Sequence, residues 1–565
     1  MAVERLRPAL LPITLAMAFM FAVTLLWTTS AESKPGSKPV PEDRTTNIQL
    51  LGVNDFHGNL EPSTRRDQPG RTLGGAAYLD AYLDRYESAN PERTIRVHAG
   101  DMVNASPLIS SYFHDEPTVY AMNEMQFDVG TLGNHEFDEG GEEMLRLING
   151  GRRSDGRQFK DGADGQPINT SDPDFDGADF PYIAANTVYK DTGKTVLPPY
   201  QVVKKDGIKV GFIGVTTLET PNIVVPDAVA PFNYLDISDT VNRYARELQE
   251  KGVESIVVLA HAGGDQLGPA EAVGEIFDET RQMSDAVDVV VSGHSHSQLN
   301  AQVDDKLVVQ AFSFGTAFDA VNMKVDRKTK DVISANAEIV NTYNEGVTPD
   351  ARTAQLVAEY KARIAPISER TVGAAAENIT RTANASGESP LGDLIADAQR
   401  DFAGAQFAFM NPGGIRADIA SGPVTYGELF AVQPFDNQVV SMDLTGAQIY
   451  TLLEQQFPPN QAPNTVRILQ VSGLKYTYNA SLPEGQRITS LTTTGGAAID
   501  RAATYKVAVN SFIATGGDRF TVLKEGQNVQ TLGSDLDALE AYIDGLPTPF
   551  SAPNPATEQR ITKQG

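Results

Sequence analysis

Cysteine is absent from the 565 residues. That removes disulfides, thiolate metal ligands, a cysteine nucleophile and a lipidated cysteine anchor together. Positive charge is scarce as well: 46 Lys and Arg stand against 73 Asp and Glu, a formal charge of -27. Such a surface repels a polyanion, which argues against non-specific nucleic-acid binding. An anionic substrate must then be held by a local cluster of cations or by metal ions. Histidine is rare, with seven in the chain, so where histidines gather is informative. No short repeat is apparent.

The remaining composition, 41% hydrophobic and 21% charged, is that of a soluble globular protein. Its length suits roughly two to four domains. Arg5 and Arg7 precede an apolar run over 9–27, broken only by Pro12 and two threonines, and Thr29-Ser30-Ala31 follows. This reads as an export signal, residues 1–31, cut near Ala31. The alternative is an uncleaved anchor, because the run approaches membrane-spanning length. Residues 32–45, rich in Ser, Lys and Pro, read as a disordered leader. The expected location is secreted or cell-envelope, with membrane contact only if the segment stays uncleaved.

An apolar run over 46–53 ends in Asn54-Asp55-Phe56-His57-Gly58. On a strand end, alternation by two puts Asp55 and His57 on one face. A helix follows Gly75, with Leu79, Tyr82, Leu83 and Tyr86 at helical spacing, and Thr94-Ile95-Arg96-Val97-His98-Ala99-Gly100-Asp101 reads as a strand leading to an Asp. Phe127-Asp128-Val129 leads into Gly130-Thr131-Leu132-Gly133-Asn134-His135-Glu136-Phe137-Asp138. Polar groups packed this densely compete for hydrogen bonds and disfavour regular structure, so the turn presents them to something.

An acidic insertion spans about 150–179. Asp172, Asp174, Asp176 and Gly177 match the first half of a calcium-binding loop, but Ile183 occupies the position where a bidentate Glu is needed, so a solvated acidic loop is expected. Further strands over 208–215, 255–260 and 287–291 run into His261 and into Gly293-His294-Ser295-His296. Alternation by two again groups His294 with His296. Residues 351–365 carry Leu356, Val357, Tyr360 and Ile364 at helical spacing, and Pro366 is expected to stop this connecting helix. Beyond it come a helix over 390–403 capped by Ser389, a strand over 406–410, a helix over 445–457 and a strand over 505–510. The class is α/β.

Asp55, His57, Asp101, Asn134, His135, His261, His294 and His296 all follow apolar strands or sit beside glycines, and they include five of the seven histidines. Nitrogen and oxygen donors of this kind suit zinc, manganese, iron or cobalt better than calcium. So many donors suit two ions, which a carboxylate such as Asp101 can bridge. Two adjacent dications acidify a shared water and clamp phosphoryl oxygens. They would supply the positive field that the net charge lacks.

Asp55-x-His57, Gly100-Asp101, Gly133-Asn134-His135-Glu136, His261 and Gly293-His294-x-His296 together resemble the calcineurin-like metallophosphoesterase signature. Their order and spread are similar to the 5′-nucleotidase family of exported bacterial enzymes and their animal ectoenzyme relatives. The resemblance implies one divalent metal held by Asp55, His57 and His296, a second held by Asn134, His261 and His294, and Asp101 bridging them. It implies that His135, oriented by Asp138, stabilises the transferring phosphoryl group or protonates the leaving alkoxide. Glu136 receives no role. In the second half, Asn411-Pro412-Gly413-Gly414-Ile415-Arg416, Gln433-Pro434-Phe435 and the segment from Phe512 to Asp518 resemble the nucleoside-binding domain of the same family. There Phe435 and Phe512 would sandwich the base, Asp518 would take the ribose hydroxyls, and Arg416 and Asn411 would hold phosphate or ribose.

The implied fold is a two-sheet sandwich flanked by helices over 46–346, a linker helix within 347–371 and an α/β nucleotide-binding domain over 372–565. The implied activity is release of phosphate from nucleoside 5′-monophosphates by metal-activated water, with nucleoside di- and triphosphates or nucleotide sugars as further substrates. One departure touches those longer substrates: Ala385 stands where family members often have a phosphate-facing arginine, with Arg381 near a second such place. A 2′,3′-cyclic-nucleotide phosphodiesterase with 3′-nucleotidase activity would use the same ligands. A nucleotide-binding protein without turnover would have no use for His135. Metal identity, base preference and oligomeric state stay open at this level.

Overall fold

Two six-stranded sheets face each other across the N-terminal half of the computed structural model, which describes residues 40–65, 67–153, 159–160, 167–168, 171–268, 271–435, 437–457 and 466–565. The first sheet runs Val332–Asn341, Ala317–Asp326, Thr45–Val53, Thr94–His98, Val129–Thr131, Tyr182–Ile183. The second runs Tyr200–Lys205, Ile208–Thr216, Ser255–His261, Val289–Ser292, Lys306–Ala311, Gln298–Val303. Side-chain alternation builds the layers. Ile48 and Leu50 join Ile95, Val97, Phe212, Val257, Leu259 and Val291 between the sheets, whereas Leu51 and Val53 turn outward to Leu79 and Leu83 of the helix Ala76–Ser88. Ile256, Val258 and Ala260 face outward to the helices Ile237–Glu250 and Glu275–Gln282. The first of these starts where Asp236 accepts the Asp239 N–H, and it buries Ile237, Val241, Tyr244, Ala245 and Leu248 on one stripe.

Register then sets where the polar loops emerge. The central strands of each sheet run parallel: Val53 pairs with His98, His98 with Gly130, Thr216 with His261, and Ala260 with Ser292. Their carboxyl ends are therefore level, and all the loops that follow leave along one edge of the sandwich. Hydrogen bonds tie the sheets together there. Thr216 Oγ1 donates to the Leu132 carbonyl at 2.8 Å, and His261 Nδ1 donates to the Ala99 carbonyl at 2.8 Å.

The C-terminal half holds a five-stranded sheet ordered Gln470–Ser472, Phe407–Met410, Thr504–Asn510, Gln438–Thr445, Gln527–Ser534. Phe407, Phe409, Val507 and Val509 pack with Ile449 and Leu452 of the helix Gly446–Glu454. Met410 belongs instead to the cluster of Leu391 and Leu394 from the helix Pro390–Phe402 and Leu539 from Asp535–Asp544.

Several expectations need correction. The last residues of the stretch read as leader are ordered: Glu42–Arg44 forms a 3-10 turn and a strand starts at Thr45, because Arg44 donates to Asp326 (2.8 Å from Nε) at the end of the neighbouring strand. The export segment itself lies outside the described residues. The connecting helix does not stop at Pro366 but runs as Ala351–Ser368. A proline this close to the end forfeits little of the remaining ladder, and Tyr360 and Ile364 are packed into the core just before it. In the acidic insertion, Asp172 accepts from the Tyr120 hydroxyl at 3.0 Å and from the Asp174 N–H at 2.9 Å. Asp172 Oδ1 thus serves the loop and Oδ2 the helix Glu116–Glu124.

Asp350 caps the connecting helix, and Thr353 anchors it by donating to Asp80 Oδ2 at 2.6 Å. Burial pushes the Asp80 carboxyl from 3.8 to about 7, aided by the charges of Asp84 and Asp350 and opposed by the Thr353 bond. A carboxyl raised on folding binds more protons folded than unfolded, so its contribution is lost as pH rises through 7. Asp80→Asn keeps the acceptor and removes the titration. It is expected to stabilise the protein by about 1–3 kcal/mol at pH 8 and by less at pH 5, measured by denaturant unfolding at both pH values.

Candidate active site

Asp55 and His57 lie beyond the end of their strand at Val53, and their φ angles are 49° and 47°. Alternation by two therefore does not place them. Asp101, His294 and His296 are likewise left-handed, with φ of 52°, 78° and 54°. Backbone of this kind is uncommon outside glycine and persists where its surroundings over-determine it. Here the loops bond to one another: Asp55 N to the Gly100 carbonyl, His57 N to Asp101, Gly58 N to Met102, and Phe314 N to Asp55, at 2.7 to 3.1 Å. The tight turns bring the side chains together where flat strands would splay them.

Three groups of possible metal ligands result: Asp55, His57 and His296; Asp101, His261 and His294; and His57, Asp101 and His135. Asp101 lies centrally. Its Oδ2 is 2.9 Å from His261 Nε2 and 3.8 Å from His57 Nε2, and its Oδ1 accepts the His135 N–H at 2.8 Å. Asn134 Oδ1 lies 3.2 Å from His261 Nε2. His296 Nε2 is 3.3 Å from both Asp55 Oδ1 and His57 Nε2. Phe314 sets its ring edge against His57 and His296, at 5.9 and 5.3 Å between centroids.

The donor set fits cations. His57 Nδ1 faces the Asn104 carbonyl at 2.9 Å and His261 Nδ1 faces the Ala99 carbonyl at 2.8 Å. A carbonyl can only accept, so both hydrogens sit on Nδ1 and both Nε2 atoms turn inward. Burial pulls His57 well below its ordinary range, and burial, then the charge of His261, takes His294 to about 3. Both are neutral, the form that offers a lone pair. Against burial, Asp101 raises His261 to about 10. A proton held between an imidazole and a carboxylate is what a metal displaces when it binds there. His135 is also raised: burial opposes this, but the charges of Asp138 and Asp101 outweigh it, and Nδ1 donates to Asp138 Oδ2 at 2.7 Å.

The C-terminal domain reaches this site. The Phe435 ring stacks over His135 at 5.9 Å and 20°, and Arg416 lies 5.7 Å over Phe435, where Asp101, Asp138 and Asp55 feel its charge. Asn411 Nδ2 donates to Asp518 Oδ2 at 2.8 Å, and Arg467 Nε stands 3.7 Å from the same carboxylate. The Phe512 N–H donates to Asn437 Oδ1 at 3.2 Å. Arg519 pairs with Glu219 across the two domains at 2.6 Å.

Residues 48–298 match the family described as calcineurin-like phosphoesterase, and residues 367–525 match the 5′-nucleotidase C-terminal domain. A cell wall protein of Listeria monocytogenes serovar 1/2a is 38% identical over 542 residues, which cover 88% of this chain and 67% of that protein. This chain belongs to the 5′-nucleotidase family. An endonuclease of Bacillus subtilis strain 168 is 35% identical over 511 residues, 89% of this chain but 40% of that protein, so the chain spans less than half of that relative. A 5′-nucleotidase precursor from Thermus thermophilus shares the fold with a TM-score of 0.77 at 29% identity, over 92% of this chain and 99% of that one. As a 5′-nucleotidase family member the chain is a hydrolase of the nucleotide phosphoesterase class, and its calcineurin-like fold implies divalent metal.

Sequence reasoning missed Asn104, whose carbonyl takes the His57 hydrogen while its side chain donates to the His135 carbonyl at 2.7 Å. It also left Glu136 without a role. That carboxylate is buried and accepts backbone N–H groups from Asp101, Met102 and Gly133 at 2.9, 2.8 and 2.5 Å. Burial, then the charge of Asp101, still pushes it up to about 7. Gly133 is required for this approach, since a Cβ there would meet Asp101 Oδ1 at 2.1 Å. Gly133→Ala is expected to cost about 1–3 kcal/mol of stability, read from the shift of the denaturant midpoint.

Proposed function

We propose that the protein is an exported dinuclear-metal 5′-nucleotidase that releases phosphate from nucleoside 5′-monophosphates. The observation that carries this reading is the stacking of Phe435 on His135 beside the three ligand groups, which sets base-sized aromatic surface and phosphate-sized positive charge at one point. Asp55, His57 and His296 would hold one cation, Asn134, His261 and His294 the other, and the Asp101 carboxylate would serve both. When bound, the two dications neutralise phosphoryl oxygens and acidify a water for in-line attack. His135 keeps its proton through Asp138 and offers it, or a hydrogen bond, to the leaving oxygen. Arg416 offsets phosphate charge, Phe435 and Phe512 stack on the base, and Asn411 with Asp518 holds the ribose hydroxyls. Stacking is indifferent to the identity of the base. Location outside the cytoplasm is supported by the sequence of residues 1–31 and by the Listeria relative's name as a cell wall protein.

Purified protein assayed with AMP, ADP, a nucleotide sugar and a 2′,3′-cyclic nucleotide should act fastest on AMP, stop on chelation and recover with zinc or manganese. Activity insensitive to chelator overturns the metal mechanism. A cyclic substrate hydrolysed fastest makes the protein a 2′,3′-cyclic phosphodiesterase, and no turnover of any makes it a nucleotide-binding protein.

His135→Ala should lower kcat about 10²–10⁴-fold while metal content, measured by elemental analysis, stays at the parent value. Loss of metal along with rate would place His135 among the ligands.

A further inference from the structure

Glu136 joins two loops that carry different ligands. Its Oε2 accepts from Asp101 N at 2.9 Å and Gly133 N at 2.5 Å, and its Oε1 accepts from Met102 N at 2.8 Å. Asp101 is the central carboxylate, and Gly133 immediately precedes Asn134. An ionised carboxylate has lone pairs for all three donors, whereas an amide in its place must turn an N–H toward at least one of them. A buried N–H left unpaired costs free energy, so the loops would separate before they tolerate it.

In the other ligand group His57 bonds to the loop that Glu136 clamps, through the Asp101 and Asn104 carbonyls, but the Asp55 side chain is held by groups that Glu136 does not touch. Asp55 accepts from Asn54 Nδ2 at 2.7 Å and from the His294 N–H at 3.0 Å, and the Phe314 N–H donates to its carbonyl at 2.7 Å. Asn54 is itself fixed by the Ala311 N–H at 3.0 Å and the Phe312 carbonyl at 2.7 Å. His57 is held by the Asn104 carbonyl at 2.9 Å. From this asymmetry we infer that Glu136 is a positioning residue that sets the affinity of one of the two metal positions, the one formed by Asn134, His261 and His294, while leaving the Asp55, His57 and His296 position nearly intact. The inference rests on the dinuclear reading above. It makes Glu136 a clamp on the relative placement of Asp101 and Asn134, although Glu136 is itself in none of the three ligand groups.

Calorimetric titration of the metal-free full chain with Mn²⁺ tests it. The parent should bind two equivalents. Glu136→Gln should bind one within threefold of the parent affinity and the other at least tenfold more weakly, with kcat on AMP recovering as Mn²⁺ is raised and KM for AMP unchanged. Equal weakening of both equivalents, or no change in either, overturns the inference. A parent that binds a single equivalent overturns the dinuclear reading itself. Should circular dichroism show Glu136→Gln unfolded, Glu136→Asp, which keeps the charge and shortens the reach by one methylene, must give the same split, and loss of both equivalents together in that variant overturns the inference as well.

Discussion

The contact between Asp101 and His261 joins the two halves of the sandwich at the site, and the other polar residues are arranged about it. Asp101 follows a strand of the first sheet and His261 ends a strand of the second, and their side chains meet at 2.9 Å. Neither charge nor imidazole would survive there unsupported, because a buried carboxylate without partners is costly. The support comes from the backbone: the Ala99 carbonyl fixes the His261 tautomer, and the His135 N–H takes the remaining Asp101 oxygen. Level strand ends make these bonds possible, so the parallel register of both sheets is a precondition for the chemistry.

Strain is concentrated in the same place. Asp55, His57, Asp101, His294 and His296 all carry positive φ. In a flexible loop such residues would relax. Here each turn is bonded to its neighbour, and the apolar layers beneath, from Ile48 and Leu50 to Val257 and Leu259, hold the strand ends rigid. The packing of the core thus bears on how closely donors from separate loops can approach, which is the requirement for holding small cations.

The two domains divide the labour. The sandwich gathers the imidazoles and carboxylates, and the C-terminal domain brings Arg416 and Phe435 over His135. In a chain of charge -27 a single guanidinium placed over the site counts for more than it would on a balanced surface. The Arg519 pair with Glu219 and the packing of the connecting helix through Tyr360 and Ile364 fix how the two parts meet.

Much of this was legible in the chain itself. Apolar runs of strand length followed by glycine and polar residues marked the strand ends, because a strand buried on both faces must be apolar throughout and can place polar groups only where it stops. That logic singled out Asp55, His57, Asp101, Asn134, His135, His261, His294 and His296, and the folded chain gathers those residues. It failed on their local geometry, since alternation assumes extended backbone and these residues sit in left-handed turns. It also failed on the connecting helix, where tertiary packing carried the chain past Pro366. The sequence by itself determined the fold class, the family and which polar residues crowd at the strand ends, because those depend on residue type and spacing. Only the tertiary structure decided what Glu136 and Asn104 do. Their partners are largely backbone N–H and C=O groups, which almost every residue carries and no residue type advertises.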